Sequence, residues 1–202
     1  MIRSRLDEQD RYPWFAQEMS RMLDQPIISP DEYYRTLKGA WRLHPKQLSV
    51  LRSLVTWREH EARDRDVPRS KTVWDEHLMK LAQSERVSGR ILGGILPPGV
   101  LREHGDAVLT AFDEGKSATQ LPEPVVRPFS SHHGKIVKTL REIASETANR
   151  LGMAVELLAR KRDVEACVRH YEALQDLPDW FAGWRDELVG DAFLEVLSGH
   201  LG

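Results

Sequence analysis

Apolar positions along this chain recur every three or four residues and almost never every two, the spacing of a helix with one buried face. From Leu48 they fall at Leu51, Leu54, Val55 and Ala62; from Ile136 they fall at Val137, Leu140, Ile143, Ala144, Ala148 and Leu151. His44-Pro45 opens the first of these stretches, with proline suited to a first helical turn, and Asp66-Val67-Pro68 closes it. Leu151-Gly152 closes the second, with glycine supplying the left-handed residue after a helix. A short helix is expected from Asp75 through Leu78, Leu81 and Ala82. Another is expected from Val100 after Pro97-Pro98-Gly99, and a last one from Trp180 after Leu177-Pro178-Asp179. The pattern predicts an all-α protein.

The two long stretches are copies of one another. At an offset of 86, Leu51 falls on Val137, Leu54 on Leu140, Trp57 on Ile143, Ala62 on Ala148, Leu78 on Val164 and Leu81 on Cys167. Near the ends the offset is 85, where Gly105 meets Gly190 and Leu109 meets Leu194. A period of about 85 residues is too long for a solenoid and right for two small domains. Between the copies, Gly115 to Pro128 holds Pro122, Pro124 and Pro128, which cannot continue a helix. The expected organisation is a helical connector at 1–41, a first bundle at 42–115, a proline-containing linker at 116–131 and a second bundle at 132–202.

Composition narrows the classes. The chain has 202 residues, 30% charged and 41% apolar, which suits a folded protein and excludes large barrel architectures. Its one cysteine, Cys167, allows neither an internal disulfide nor a thiolate zinc cluster, so a reducing, cytoplasmic setting is expected. The N-terminal Met1 to Glu8 lacks the apolar run of a signal peptide, and no membrane contact is expected. The net charge of −2 conceals a pattern: residues 42–80 carry nine cations against six acids, residues 134–170 eight against five, and residues 171–202 one against seven. Each copy therefore has a local excess of +3. Arg58, Arg63, Arg65, Arg69 and Lys71 cluster around the end of the first long helix, and Lys138, Arg141, Arg160, Lys161 and Arg162 lie in the second copy. These ten are the candidate nucleic-acid contacts, since guanidinium and ammonium groups recognise phosphate. Glu59, Glu61, Asp64 and Asp66 dilute the first group.

No catalytic constellation accompanies them. There is no phosphate-cradling glycine loop, no GxSxG turn and no HExxH helix. His132-His133 lies beside the expected linker and is read as a surface pair rather than a metal site. Cys167, matched by Leu81 in the first copy, is read as a buried apolar residue. Trp57, Trp74, Trp180 and Trp184 are read as core residues, with base stacking the less favoured role.

Asp31-Glu32-Tyr33-Tyr34-Arg35-Thr36-Leu37-Lys38-Gly39-Ala40-Trp41, Trp57-Arg58-Glu59, Asp66-Val67-Pro68-Arg69 and Asp75-Glu76-His77-Leu78 resemble the region after the nuclease domain of bacterial ribonuclease D. Leu157 to Asp163 and Gly183-Trp184-Arg185 resemble that family's final domain. Both copies thus resemble HRDC domains, helical modules shared by RecQ-type helicases and ribonuclease D. The resemblance implies a 3′ to 5′ exoribonuclease acting on tRNA precursors and other structured RNA, with a DEDD carboxylate set holding two divalent metal ions. That set is not found here. The residues four past Tyr12, Tyr33, Tyr34 and Tyr171 are Ala16, Leu37, Lys38 and Gln175, and the lone Asp-x-Glu, Asp163-Val164-Glu165, falls in a predicted helix of the second copy. The expectation is a chain without the nuclease core, not itself an enzyme and without a cofactor. Its partners would be structured or single-stranded RNA. The alternative is a helical scaffold docking on a nuclease domain or another protein. Tyr33, Tyr34 and Trp41 are expected to form an exposed apolar patch within 1–41 suited to such docking or to self-association.

Overall fold

The structure, a computed structural model, describes residues 10–23 and 27–201; the remainder of the expected N-terminal connector lies outside the described residues. Among the described residues every regular element is a helix or a helical turn. The chain divides into two compact units, Pro26–Pro128 and Met1–Gln25 with Phe129–Gly202. The segment expected as one connector is therefore shared: α1 (Tyr12–Leu23) belongs to the unit built from the second copy, and the turns at Tyr33–Thr36 and Ala40–Arg42 belong to the first.

The first unit contains α2 (Pro45–Asp64), α3 (Asp75–Gln83), α4 (Gly89–Ile95) and α5 (Pro98–Ser117), with a short turn at Arg69–Lys71. His44 caps α2: its Nδ1 accepts from the Gln47 amide at 3.4 Å, while its own amide donates to Gln47 Oε1 at 3.3 Å. Leu48, Leu51, Leu54 and Val55 of α2 pack with Leu78, Leu81, Leu92, Val108 and Phe112 in one core. Tyr34 joins that core at 0% exposure. The expected apolar patch therefore fails at Tyr34, whose ring fills the first unit instead of facing a partner. The proline stretch after Ser117 is irregular but tied down: Pro122 is buried, Val125 packs on the core and Arg52 Nη2 donates to Gln120 O at 3.2 Å.

The second unit contains α6 (Ser131–Arg150), α7 (Val155–Leu158), α8 (Lys161–Leu174) and α9 (Asp191–Leu201), with α1 packed on its surface. Ile136, Leu140, Ala144, Val164, Cys167, Phe181, Phe193 and Leu197 form its core. The helix expected from Trp180 is instead a short turn at Asp179–Phe181, and a wide helical turn at Asp186–Gly190 leads into α9. Trp14 stacks on Trp184 at 5.1 Å, Gln17 Nε2 donates to Ala182 O at 2.8 Å and Arg11 Nη2 donates to Leu151 O at 2.5 Å, which fixes α1.

The duplication extends to the backbone. Asp66 (φ +50°) and Gly152 (φ +60°), 86 positions apart, each end a twenty-residue helix in the left-handed region. The following amides bond back alike, Val67 N to Ala62 O at 2.9 Å and Met153 N to Ala148 O at 3.0 Å. One geometry is thus made once with the residue that adopts it freely and once with aspartate.

Candidate nucleic-acid interface

The ten candidate cations separate by burial and partner. Arg58 is 1% exposed. It donates from Nη1 to Val73 O at 3.3 Å and to the Asp75 carboxylate, and from Nη2 to Glu59 Oε1 at 3.3 Å, tying α2 to the start of α3. The expectation of a phosphate contact there is corrected: a guanidinium enclosed by the fold and bound to two carboxylates has no surface to offer. Arg65 is exposed but sits between Glu103 at 2.5 Å and Glu61 at 3.4 Å, joining α2 to α5. The Glu103 hydrogen bond and charge raise its pKa above the ordinary arginine value. Arg160 lies 3.9 Å from both Glu18 and Asp163, within the acidic seam that holds α1.

The others face solvent. Arg63, Lys71 and Arg141 are exposed with no side-chain partner among the described residues. Lys138 has Glu142 at 3.7 Å, Lys161 has Glu165 at 3.6 Å and Arg162 has Asp163 at 4.0 Å, all exposed cations in loose pairs that hold them weakly. In the first unit two of the cations share a cleft. Arg63 and Arg69 line one cleft with Asp66, Val67 and Pro68. Arg69 also lines the adjoining one, with Tyr33, Arg58, Ser70 and Trp74.

Arg69 is held in place while half exposed. Its Nε meets both oxygens of buried Glu59 at 2.7 Å, and its guanidinium lies 4.0 Å over the Tyr33 ring. Burial alone would lower its pKa, but the Glu59 carboxylate outweighs this and the net shift is upward. Its two terminal nitrogens remain without partners among the described residues. Glu59 is thus neutralised on both sides, by Arg58 inside and Arg69 outside.

Trp74 corrects a second expectation. Instead of packing in the core it is 57% exposed, at the cap position before α3, with Nε1 donating to Ser70 O at 2.9 Å. Trp184, in contrast, is buried, and Trp57 and Trp180 are partly so. The signal that could have found Trp74 lay in the repeat: 86 positions on stands Arg160, a residue that belongs on a surface. The same comparison pairs Arg58 with buried Ala144.

The remaining chemistry is structural. His133 Nε2 lies 2.6 Å from Glu172 Oε1 and its ring stacks on Phe129, while His132 Nε2 lies 3.4 Å from His200 O. Asp163 is buried, accepting from the Arg160 amide at 3.0 Å and from Arg21 at 2.9 Å. Burial first, and Asp163 second, push the Cys167 thiol up to about 12. Among the described residues no three His, Cys, Asp or Glu side chains gather as a metal site, so the donor set of a two-metal centre is not met there. Nor is any helix long and apolar enough to cross a membrane among them.

Two family models match the chain. Residues 47–111 match the HRDC domain and residues 132–193 match the ribonuclease D C-terminal HRDC domain. The all-helical fold therefore carries two HRDC domains in tandem, one in each unit. Along most of its length the chain is similar to ribonuclease D. It is 34% identical to ribonuclease D of Pseudomonas paraeruginosa over 203 residues, covering 96% of this chain and 54% of the relative. It is 26% identical to that of Escherichia coli over 189 residues, covering 90% and 50%. The crystal structure of Escherichia coli RNase D, described as an exoribonuclease involved in structured RNA processing, superposes with a TM-score of 0.76 at 25% identity, over 92% of this chain and 51% of that one. The chain spans about half the length of the curated relatives it matches.

Proposed function

We propose that this chain binds RNA, through the exposed cations of its HRDC domains, as the recognition part of a ribonuclease D-like 3′ to 5′ exoribonuclease working on tRNA precursors in the cytoplasm. The observation that carries the reading is that unpaired Arg63 and half-free Arg69 line one cleft of the first unit, while Arg69 also lines a second beside exposed Trp74, with exposed Lys71 in the same turn as Arg69. Cations beside a free aromatic face suit a flexible phosphate backbone with accessible bases. In the second unit Lys138, Arg141, Lys161 and Arg162 add phosphate contacts. Hydrolysis is assigned to a nuclease domain outside this chain, and no step of it is routed through the residues described here.

Neutralising about three to five phosphates of a single strand gives a log–log salt slope of about −2 to −3.5. The test is fluorescence anisotropy of a labelled tRNA-like hairpin with a 3′ overhang, titrated at several salt concentrations, with the RNA length checked afterwards. Binding with a slope in that range, reduced by about 0.7 in Arg63→Ala or Lys71→Ala, supports the reading. No binding at low salt overturns it, and shortened RNA overturns the assignment of hydrolysis elsewhere. A docking scaffold is the second reading, favoured by the exposed Phe15, Met19 and Met22 of α1. It requires no salt-sensitive RNA retention.

A further inference from the structure

Trp74, Arg69 and Tyr33 line one cleft of about 400 Å³ with Ser70, Val73, Asp75 and Glu76, inside the range of small-ligand sites at roughly 300–1,000 Å³. Its planar groups are two rings and two guanidinium groups, of which that of Arg58 is buried. Tyr33 is covered by Arg69, whereas Trp74 has only the offset His77 ring beside it, 6.4 Å between centroids and tilted by 28°, and stays 57% exposed. With its N–H committed to Ser70 O, the indole has only a ring face to offer, which any base can stack upon.

The polar lining carries both signs. Arg69 brings two free terminal nitrogens and Ser70 a hydroxyl, with Lys71 in the same turn but outside the lining. Asp75 and Glu76 bring carboxylates. Asp75 is committed to Arg58, whereas the Glu76 side chain is 60% exposed, with the His77 ring nitrogen Nε2 at 3.7 Å. A phosphate is repelled by Glu76 and attracted by Arg69. The Glu76 carboxylate accepts from an amine and has nothing to give to a carbonyl. Deeper still, the Nε of Arg58 is buried without a partner, although Arg58 lines the cleft.

We propose that this cleft is a slot for one unpaired nucleotide of an RNA strand, with the base stacked on Trp74, its flanking phosphate on Arg69 and Lys71, and an exocyclic amine of the base donating to Glu76. The proposal deepens the RNA-binding reading and rests on it. It distinguishes cytosine from uracil, which differ at that edge by amine against carbonyl. A fully paired duplex end cannot enter, because its bases are stacked and their edges are taken.

The test compares two labelled hairpins with the same stem, one blunt and one carrying a short 3′ cytidine overhang. Trp74→Ala is expected to weaken the overhang hairpin about tenfold more than the blunt one, the effect of losing one stacked base. Trp74→Phe is expected to restore most of the loss. A uridine overhang is expected to bind several-fold more weakly than cytidine, and Glu76→Gln to erase that difference. Unchanged thermal unfolding of Trp74→Ala confirms the fold, since the residue is exposed. If Trp74→Ala lowers both hairpins equally or neither, while Arg63→Ala and Lys71→Ala still weaken binding, the slot is overturned and the RNA-binding reading stands. If the unmodified protein binds neither hairpin at low salt, both fall together. Equal binding of cytidine and uridine overhangs overturns the role given to Glu76.

Discussion

Gly115 is where the first unit permits least change, and its replacement by alanine tests the packing of α2 against α5. A methyl carbon built on Gly115 meets Val50 Cα at 2.5 Å, Ser49 O at 3.0 Å and Val50 N at 3.1 Å. Carbon atoms in contact prefer about 3.5–4.0 Å, so the two helices must separate by about 1 Å. The obstacle is backbone, which cannot rotate aside, and the separation loosens the buried faces of both helices around Leu51, Leu54, Val108 and Phe112. Overpacking of this kind costs about 1–3 kcal/mol. Alanine returns at most about 1 kcal/mol through better helix propensity, less here because Gly115 lies in the last turn. The net expectation is a loss of about 1–2 kcal/mol, or roughly 5–15 °C in the melting of a unit of about 100 residues. Gly94→Ala in α4 is the control: nothing lies within 4 Å of its added methyl, so it should gain about 0.5–1 kcal/mol. The assay is thermal unfolding of both variants beside the unmodified chain. A Gly115→Ala protein that melts no lower than the Gly94→Ala control refutes the close approach of α2 and α5.

Arg58→Met should cost about 3 kcal/mol in a urea titration, because buried Glu59 loses its inner partner, whereas Arg63→Ala should leave the urea midpoint unchanged; the reverse order contradicts the structural role of Arg58. Asp66→Gly should raise stability by about 0.5–1 kcal/mol by relieving a left-handed aspartate, and Gly152→Ala should lower it by about 1 kcal/mol, both read from denaturant midpoints. Cys167 should resist iodoacetamide at pH 8 until its unit unfolds; rapid labelling of folded protein would contradict its burial. Because its pKa rises from 9.0 to about 12 on folding, the folded state holds the proton more tightly. Its contribution is whole below pH 9 and is lost as pH climbs toward 12, so Cys167→Ala should flatten the alkaline side of the stability curve.

Periodicity and punctuation sufficed for the helical class, the duplication and most helix ends, because these depend on neighbours three or four residues away. His44-Pro45 and Leu151-Gly152 act through local backbone geometry, and the structure places helix ends at both. The family resemblance, likewise carried by order and spacing, agrees with the two HRDC matches. Charge is a different matter. Counting cations showed that each copy has a surplus, but not which cations are free, since that depends on side chains brought near by folding. Arg58 lies seventeen positions before Asp75, and folding encloses it while pairing it with that carboxylate. Arg65 meets Glu103 across two helices, and Arg160 meets Glu18 across most of the chain. Tyr34 and Trp74 exchanged their expected places for the same reason: a large aromatic ring fits a core and a surface equally well until the surrounding helices decide whether a cavity exists for it. The sequence alone determined which segments coil and which repeat, through interactions local enough to be written in order. Only the tertiary structure decided which charges remain available to a partner and which ring stands uncovered, because desolvation and pairing are properties of the space between segments.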